Sequence, residues 1–418
     1  MISSRRDFIK STLGAGILAA TPGCFRRENR PKTTIAQLDQ AAAAPVLKTE
    51  YLPSPVEIAS VELLRNGQNL FVRATSTEGA VGIAMTNNAR MSFLYPILVQ
   101  RVAPYFIGKD ARDLDALIDG IYVHESNYKL QGLAFWIPVA SVEFALLDLL
   151  GNMAGRPVGE LLGGIVRRDV AVYRANNHRG KTAEESVELI AKSVAETGAR
   201  AVKFKIGGRM SKNADFPPGR TEALIPLVRK VLGDEITLYA DSNGSYDAPK
   251  AIEIGRLLEA ADVAFYEEPC PFDYLEETKQ VAEALTIPIA GGEQESSLRR
   301  FRWMIHNDCV QIVQPDLHYF GGFIRCIRVA RMAAEAGIPC TPHMSGSGLG
   351  YLYMLHFASC VPNIGPYQEY KGKSKDIPVT CDTSSLESRD GVVRIPSGPG
   401  LGVDFDPDFV RKAEVVTG

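Results

Sequence analysis

The chain has 418 residues, 45% of them hydrophobic and 23% charged, with a formal net charge of -3. That length exceeds a single compact core and predicts one large domain with a smaller one. The charge balance excludes the basic face that nucleic-acid binding requires. Beyond the N-terminus the chain holds no uncharged apolar run of about 18 residues that would span a bilayer.

The first 45 residues read as an export signal and tether. Ser4-Arg5-Arg6-Asp7-Phe8-Ile9-Lys10 precedes a short apolar stretch from Leu13 to Ala20, a charged segment followed by a hydrophobic one. The paired arginines resemble a twin-arginine export signal, which implies a periplasmic protein. Cys24, after Thr21-Pro22-Gly23, is a candidate lipid-anchor site, although Thr21 departs from the aliphatic residue expected there. Residues 25 to 50, with the alanine run Ala41 to Ala44 and several prolines, read as a flexible tether. An oxidising compartment would permit disulfides among the seven cysteines. Their spacing makes no zinc pattern, and buried free thiols are the preferred reading.

Residues 46 to 168 read as an α+β capping domain. Segments 56 to 64 and 69 to 75 alternate apolar and polar around Arg65-Asn66-Gly67-Gln68, which predicts a hairpin. Glu78-Gly79 marks a turn before Val81 to Met85, and helical patterns follow at about 93 to 103, 112 to 122 and 136 to 153. From residue 170 the pattern changes to short β-branched runs alternating with amphipathic helices. Repeated βα units predict a parallel sheet, and seven or eight of them in about 200 residues predict a closed barrel. The fold class is therefore α/β: a modified (β/α)7β barrel over residues 169 to 370, with the cap before it. The segment 371 to 418 is expected to pack back on the cap and complete it.

An ionisable residue ends nearly every barrel strand. Lys205 ends the second, Asp241 the third, Glu267 the fourth and Glu293 the fifth; Asp316 follows the sixth, His343 the seventh and Glu369 an eighth. From Asp241 onward these recur at intervals of 23 to 27 residues, the length of one βα unit. Such positions converge at the C-terminal mouth of a barrel, where active sites lie. Asp241, Glu267 and Glu293 would repel one another unless a divalent cation bound them, and an all-oxygen set suits magnesium better than zinc. Lys203 and Lys205, two apart in a strand, share a face. Two neighbouring ammonium groups depress each other's pKa, which makes lysine a base near neutral pH. Asp316 beside His343 would orient the imidazole and hold a proton on it.

At these residues the chain resembles the enolase superfamily, in its mandelate racemase subgroup, over about residues 50 to 405. The motifs are Lys203-Phe204-Lys205, Asp241-Ser242-Asn243-Gly244, Glu267-Glu268-Pro269, Gly291-Gly292-Glu293, Pro315-Asp316 and Pro342-His343. The resemblance implies that Asp241, Glu267 and Glu293 ligate Mg2+. It implies that Lys205 is the base on one face of the substrate, with Lys203 lowering its pKa and touching the carboxylate. His343, paired with Asp316, would act on the other face, and Glu369 would hydrogen-bond a carboxylate oxygen.

The reaction expected is abstraction of the proton α to a carboxylate, because a preplaced cation and hydrogen-bond donors stabilise the charge that develops. Dehydration of a sugar acid is preferred, because polar segments would line the mouth. Arg174, Asn176 and His178 after the first barrel strand, Asn243, and Asn87 of the cap are the candidate substrate-binding residues. A 2-hydroxy-acid racemase or epimerase, and a non-catalytic exported sugar-acid binder, are the alternatives. The short hairpin turn near Arg65 to Asn69 predicts an open site or a lid from another subunit, and a homo-oligomer is expected.

Overall fold

A computed structural model of the protein describes residues 32–345, 348–372 and 377–417; the export-signal residues and Cys24 lie outside them. The chain enters through α1 (Ile35–Ala43), β1 (Ile58–Asn66), β2 (Asn69–Ser76) and β3 (Val81–Met85). The three strands form an antiparallel meander. Gly67, at φ 59°, supplies the left-handed residue that the tight hairpin turn needs. The cap helices follow: α2 (Asn88–Ile97), α3 (Ala103–Phe106), α4 (Leu114–Val123), α5 (Leu133–Ala154) and α6 (Val158–Leu161). Helix α5 is long and apolar enough to cross a membrane, but 89% of its most hydrophobic window is buried inside the protein. It is the central core helix, packed against β2 and β3.

The barrel runs from β4 (Asp169–Ala175) through α7 (Ala183–Thr197), β5 (Ala201–Lys205), α8 (Arg220–Leu232), β6 (Thr237–Asp241), α9 (Ala248–Ala260), β7 (Phe265–Glu267), α10 (Leu275–Ala284), β8 (Ile289–Gly291), α11 (Leu298–His306) and β9 (Ile312–Val313). It ends with α12 (Phe323–Glu335), α13 (Gly350–Cys360) and β10 (Gln368–Tyr370). Strands β4 to β9 are parallel and consecutive, and β10 returns to pair with β4. The seventh position is filled by bridges, Val313 to Cys340, Asp316 to His343 and Cys340 to Ile364, where a strand over 338–341 was expected. The barrel interior is floored by Tyr173, Ala201, Tyr239, Phe265, Ala290 and Ile312. Tyr239 and Phe265 stack with centroids 3.9 Å apart.

Two boundaries differ from the sequence reading. The span read as tether contains α1, which packs on α12 and α11 with Leu38 fully buried. Thr34 and Gln37 close a capping box on it, and Arg302 pairs with Asp39 at 2.6 Å. The C-terminal segment also serves two bodies rather than one. Strand β11 (Val379–Thr380) pairs with β13 (Asp404–Phe405), while β12 (Val392–Arg394) joins the first barrel strand, antiparallel to β4. After the short helix α14 (Pro407–Arg411), β14 (Glu414–Val415) extends the cap sheet against β1, as expected. Buried Asp148 of α5 ties these parts together, accepting from Ile83 N at 2.8 Å and Leu401 N at 2.7 Å. The described cysteines are all free, and only Cys381 is not buried.

Candidate active site

The functional layer sits two residues beyond the aromatic floor on each strand. Ala201 is followed by Lys203, Tyr239 by Asp241 and Phe265 by Glu267, and a period of two sends each pair to the same inner face. The sheet register sets Lys205 opposite Asp241, and Asp241 opposite Glu267. Glu293 reaches the same layer from the loop after β8. Gly292 precedes it at φ 114°, and a Cβ there would lie 2.5 Å from the Phe301 ring, so that turn admits only glycine.

Asp241, Glu267 and Glu293 are buried, and each offers an oxygen within 4.8 Å of the others. Such carboxylates cannot all stay ionised without cations close by. Glu293 Oε2 accepts no hydrogen bond and lies 3.3 Å from His343 Nε2. Three convergent oxygens with free lone pairs fit a hard divalent cation. Asn243, held at φ 44°, spans the acids: its N–H donates to Asp241 Oδ1 at 2.8 Å, and its Nδ2 lies 3.3 Å from Asp241, 3.3 Å from Glu268 and 3.5 Å from Glu293.

Lys203 departs from the expected mutual depression. Lys203 Nζ donates to both Glu267 oxygens at 2.8 Å and lies 3.5 Å from Glu369 Oε1. Burial opposes the charge on Lys203. Glu267, Glu369 and Asp241 outweigh that penalty and hold the ammonium well above its ordinary range. The carboxylates across the barrel, not the neighbouring lysine, decide its charge. Lys205 Nζ donates to Asp241 Oδ2. Burial works against the Asp241 anion, yet Lys205, Lys203 and Arg179 keep its carboxyl below the usual range.

On the other side of the mouth, His343 Nδ1 meets Asp316 Oδ2 at 2.7 Å. Asp316 Oδ1 accepts from His318 N and Tyr319 N, both at 2.8 Å, and from Ser345 Oγ at 2.9 Å. Burial disfavours the Asp316 anion, but His343 and these donors lower its pKa. Burial likewise disfavours imidazolium, but Glu293, Glu369 and Asp316 raise the His343 pKa. Glu369 Oε2 accepts from Met344 N at 2.9 Å. Its pKa is held low against burial by Lys203, Lys371 and His343.

The residues selected for substrate binding separate in the structure. Asn243 lies among the carboxylates, and Asn87 is buried beside Ser345, 3.2 Å from its hydroxyl. Asn176 turns its Nδ2 back to Arg174 O at 3.1 Å. Arg174 rests its guanidinium against Gly372. Half-buried His178, whose pKa burial lowers, hydrogen-bonds through its carbonyl to Ser186 and Arg220 at 3.5 Å. Arg174 and His178 make no described hydrogen bond or ion pair with the groups that end the strands. Three supporting residues escaped the sequence reading. Arg179 donates to Asn243 Oδ1 at 2.8 Å and to the carbonyls of Gly207, Ile206 and Asp241. Gln314 Nε2 holds Glu267 Oε2 at 3.0 Å, and Ser345 holds Asp316. An ionisable residue at a strand end is visible in sequence, whereas these uncharged or loop-borne partners carry no spacing signal.

The fold and site define a barrel enzyme with a buried carboxylate triad flanked by a lysine pair and an Asp-His pair. Residues 43–163 match the family model of the mandelate racemase/muconate lactonizing enzyme N-terminal domain, and residues 185–409 the enolase C-terminal domain-like model. The chain belongs to the mandelate racemase/muconate lactonizing enzyme family of the enolase superfamily. It is 27% identical to an arabinonate dehydratase of Saccharolobus solfataricus, covering 83% of this chain and 88% of that one. It is equally 27% identical to a D-galactarolactone cycloisomerase of Agrobacterium fabrum, over 86% and 95%. A Roseobacter denitrificans crystal structure, provisionally named a racemase, superposes with a TM-score of 0.80 at 34% identity, over 86% and 99%. A Paracoccus denitrificans family member complexed with magnesium gives 0.78 at 26% identity, over 87% and 98%.

Proposed function

We propose that the protein removes the α-proton of a sugar acid and eliminates water, giving a 2-keto-3-deoxy acid. The observation that carries this reading is the placement of a lysine and an Asp-oriented histidine around one buried carboxylate triad. Relatives named for arabinonate and D-galactonate dehydration support the substrate class.

Asp241, Glu267 and Glu293 would hold Mg2+. When bound, the ion would neutralise the charge that builds on the substrate carboxylate. Lys205 takes the α-proton, and the electron pair of the broken C–H bond moves toward the carboxylate. Lys203, buried, places a fixed cation beside that group, and Glu369, held ionised in the free protein, takes up a proton before it donates to a substrate carboxylate oxygen. His343, its proton retained by Asp316, donates to the hydroxyl on the next carbon as the C–O bond breaks, and water leaves. Tautomerisation of the resulting enol gives the ketone.

A racemase reading has one observation in its favour, the Roseobacter structure at 34% identity. If the substrate has no departing hydroxyl, His343 returns a proton to the other face and the configuration inverts. The Arg5-Arg6 pattern supports export to the periplasm.

Incubation of the purified protein with magnesium and a panel of sugar acids in D2O separates the readings. Formation of a 2-keto-3-deoxy acid supports dehydration. Deuterium at the α-carbon without elimination supports racemisation. Binding of a sugar acid with neither change would leave a binding protein and sink the enzymatic reading.

A further inference from the structure

The N-cap residue of α2, in the cap, reaches the Asp316–His343 pair through Ser345. The Asn87 side chain has both ends committed. Its Oδ1 accepts from Arg90 N at 3.3 Å, which caps the helix, and its Nδ2 donates to Ser345 Oγ at 3.2 Å. Ser345 Oγ donates in turn to Asp316 Oδ1 at 2.9 Å, and Asp316 Oδ2 meets His343 Nδ1 at 2.7 Å. Asn87, Ser345 and Asp316 are all buried, so water does not replace these bonds. The backbone N–H of Tyr319 donates to the same Asp316 oxygen at 2.8 Å.

The donors on Asp316 Oδ1 differ in origin. Two are backbone N–H groups of the loop that carries Asp316 itself. The third, the Ser345 hydroxyl, comes from the loop after His343 and is held by a residue 258 positions away in another domain. Removing it leaves Oδ1 to the two backbone donors, which resets the tilt of the carboxylate, and the imidazole orientation follows the carboxylate.

We infer that Asn87 and Ser345 are positioning residues that make the orientation of the His343 ring conditional on docking of the cap helix. Docking of the cap helix and assembly of the proton-transfer pair are then one event rather than two. This rests on the reading of His343 as a proton-transfer group, and its test needs no substrate.

The test is the downfield proton spectrum of the full protein, labelled with 15N-histidine, in the presence of magnesium. The Nδ1–H signal of His343 is assigned by its loss in His343→Asn. Asn87→Ser keeps the helix cap but removes the amide that reaches Ser345 and is expected to shift the signal. Ser345→Ala is expected to shift it as well, while Ser345→Thr, which retains the hydroxyl, preserves it. Ser92→Ala, on the exposed side of the same helix, leaves it in place. An unmoved signal in Asn87→Ser or Ser345→Ala overturns the inference, as does absence of the signal from the parent protein. The Asn87→Ser arm decides alone if the Ser345→Ala chain does not fold. Failure to turn over any sugar acid would refute the proposed activity and leave this result unaffected.

Discussion

Glu143 offers a quantitative test of how the cap supports the barrel. It lies fully buried in α5 and accepts from Ile324 N at 2.9 Å, at the start of α12 and just beyond the loop that carries Asp316. Its Oε2 accepts no hydrogen bond, and a Cβ on Gly322 would lie 2.0 Å from it. Burial pushes the carboxyl up from 4.5 to about 8. Below about pH 4.5 the folded and unfolded chains both carry the proton, and Glu143 gives no pH dependence. Between there and about pH 8 only the unfolded chain releases it, so stability falls as pH rises, by about 1.4 kcal/mol per pH unit. Above about pH 8 both states are ionised and the curve levels. The full effect is on the order of 5 kcal/mol. Glu143→Gln keeps an acceptor for Ile324 N and cannot ionise. Equilibrium urea unfolding of both proteins from pH 5 to 8 isolates the effect. The stability of the Gln variant relative to the parent should climb by about 1.4 kcal/mol per pH unit. A difference that stays flat with pH would show that Glu143 is ionised in the folded protein and would refute the reasoning.

Lys205→Ala and His343→Asn should each lower kcat by about 10^3-fold or more, while calorimetry still detects magnesium binding; full activity in Lys205→Ala would remove it as the base. Exhaustive chelation should abolish turnover and added magnesium should restore it, and activity that survives chelation would take the metal out of the reaction. Arg179→Met removes the clamp on Asn243 and should weaken magnesium binding by about 10-fold, read by calorimetric titration; an unchanged affinity would make Arg179 a structural residue only.

The barrel was legible because its strands end on ionisable residues at the spacing of one βα unit, and a closed barrel sends strand ends to one mouth. The period-two rule placed Lys203 and Lys205 together on the inner face, and the structure agrees, with Lys203 buried and Lys205 on Asp241. The direction in which the Lys203 pKa moves was misread because adjacency along a strand shows only the neighbouring lysine. The oxygens that hold its ammonium come from Glu267, 64 residues away, and from Glu369. The capping box Thr34 to Gln37 was present in the tether, but a nine-residue helix is marginal alone. Docking of Leu38 against the barrel helices is what holds it.

Local chemistry, written in residue type and interval, thus determined the fold class, the cap hairpin and the groups gathered at the mouth. Tertiary structure alone decided how those groups are charged and held. The reach of Asn87 to Ser345, the clamp of Arg179 on Asn243 and the pairing of β12 with β4 join residues far apart in sequence. Hydrogen bonds and ion pairs act across a few ångströms of space, and a one-dimensional pattern carries no measure of that distance.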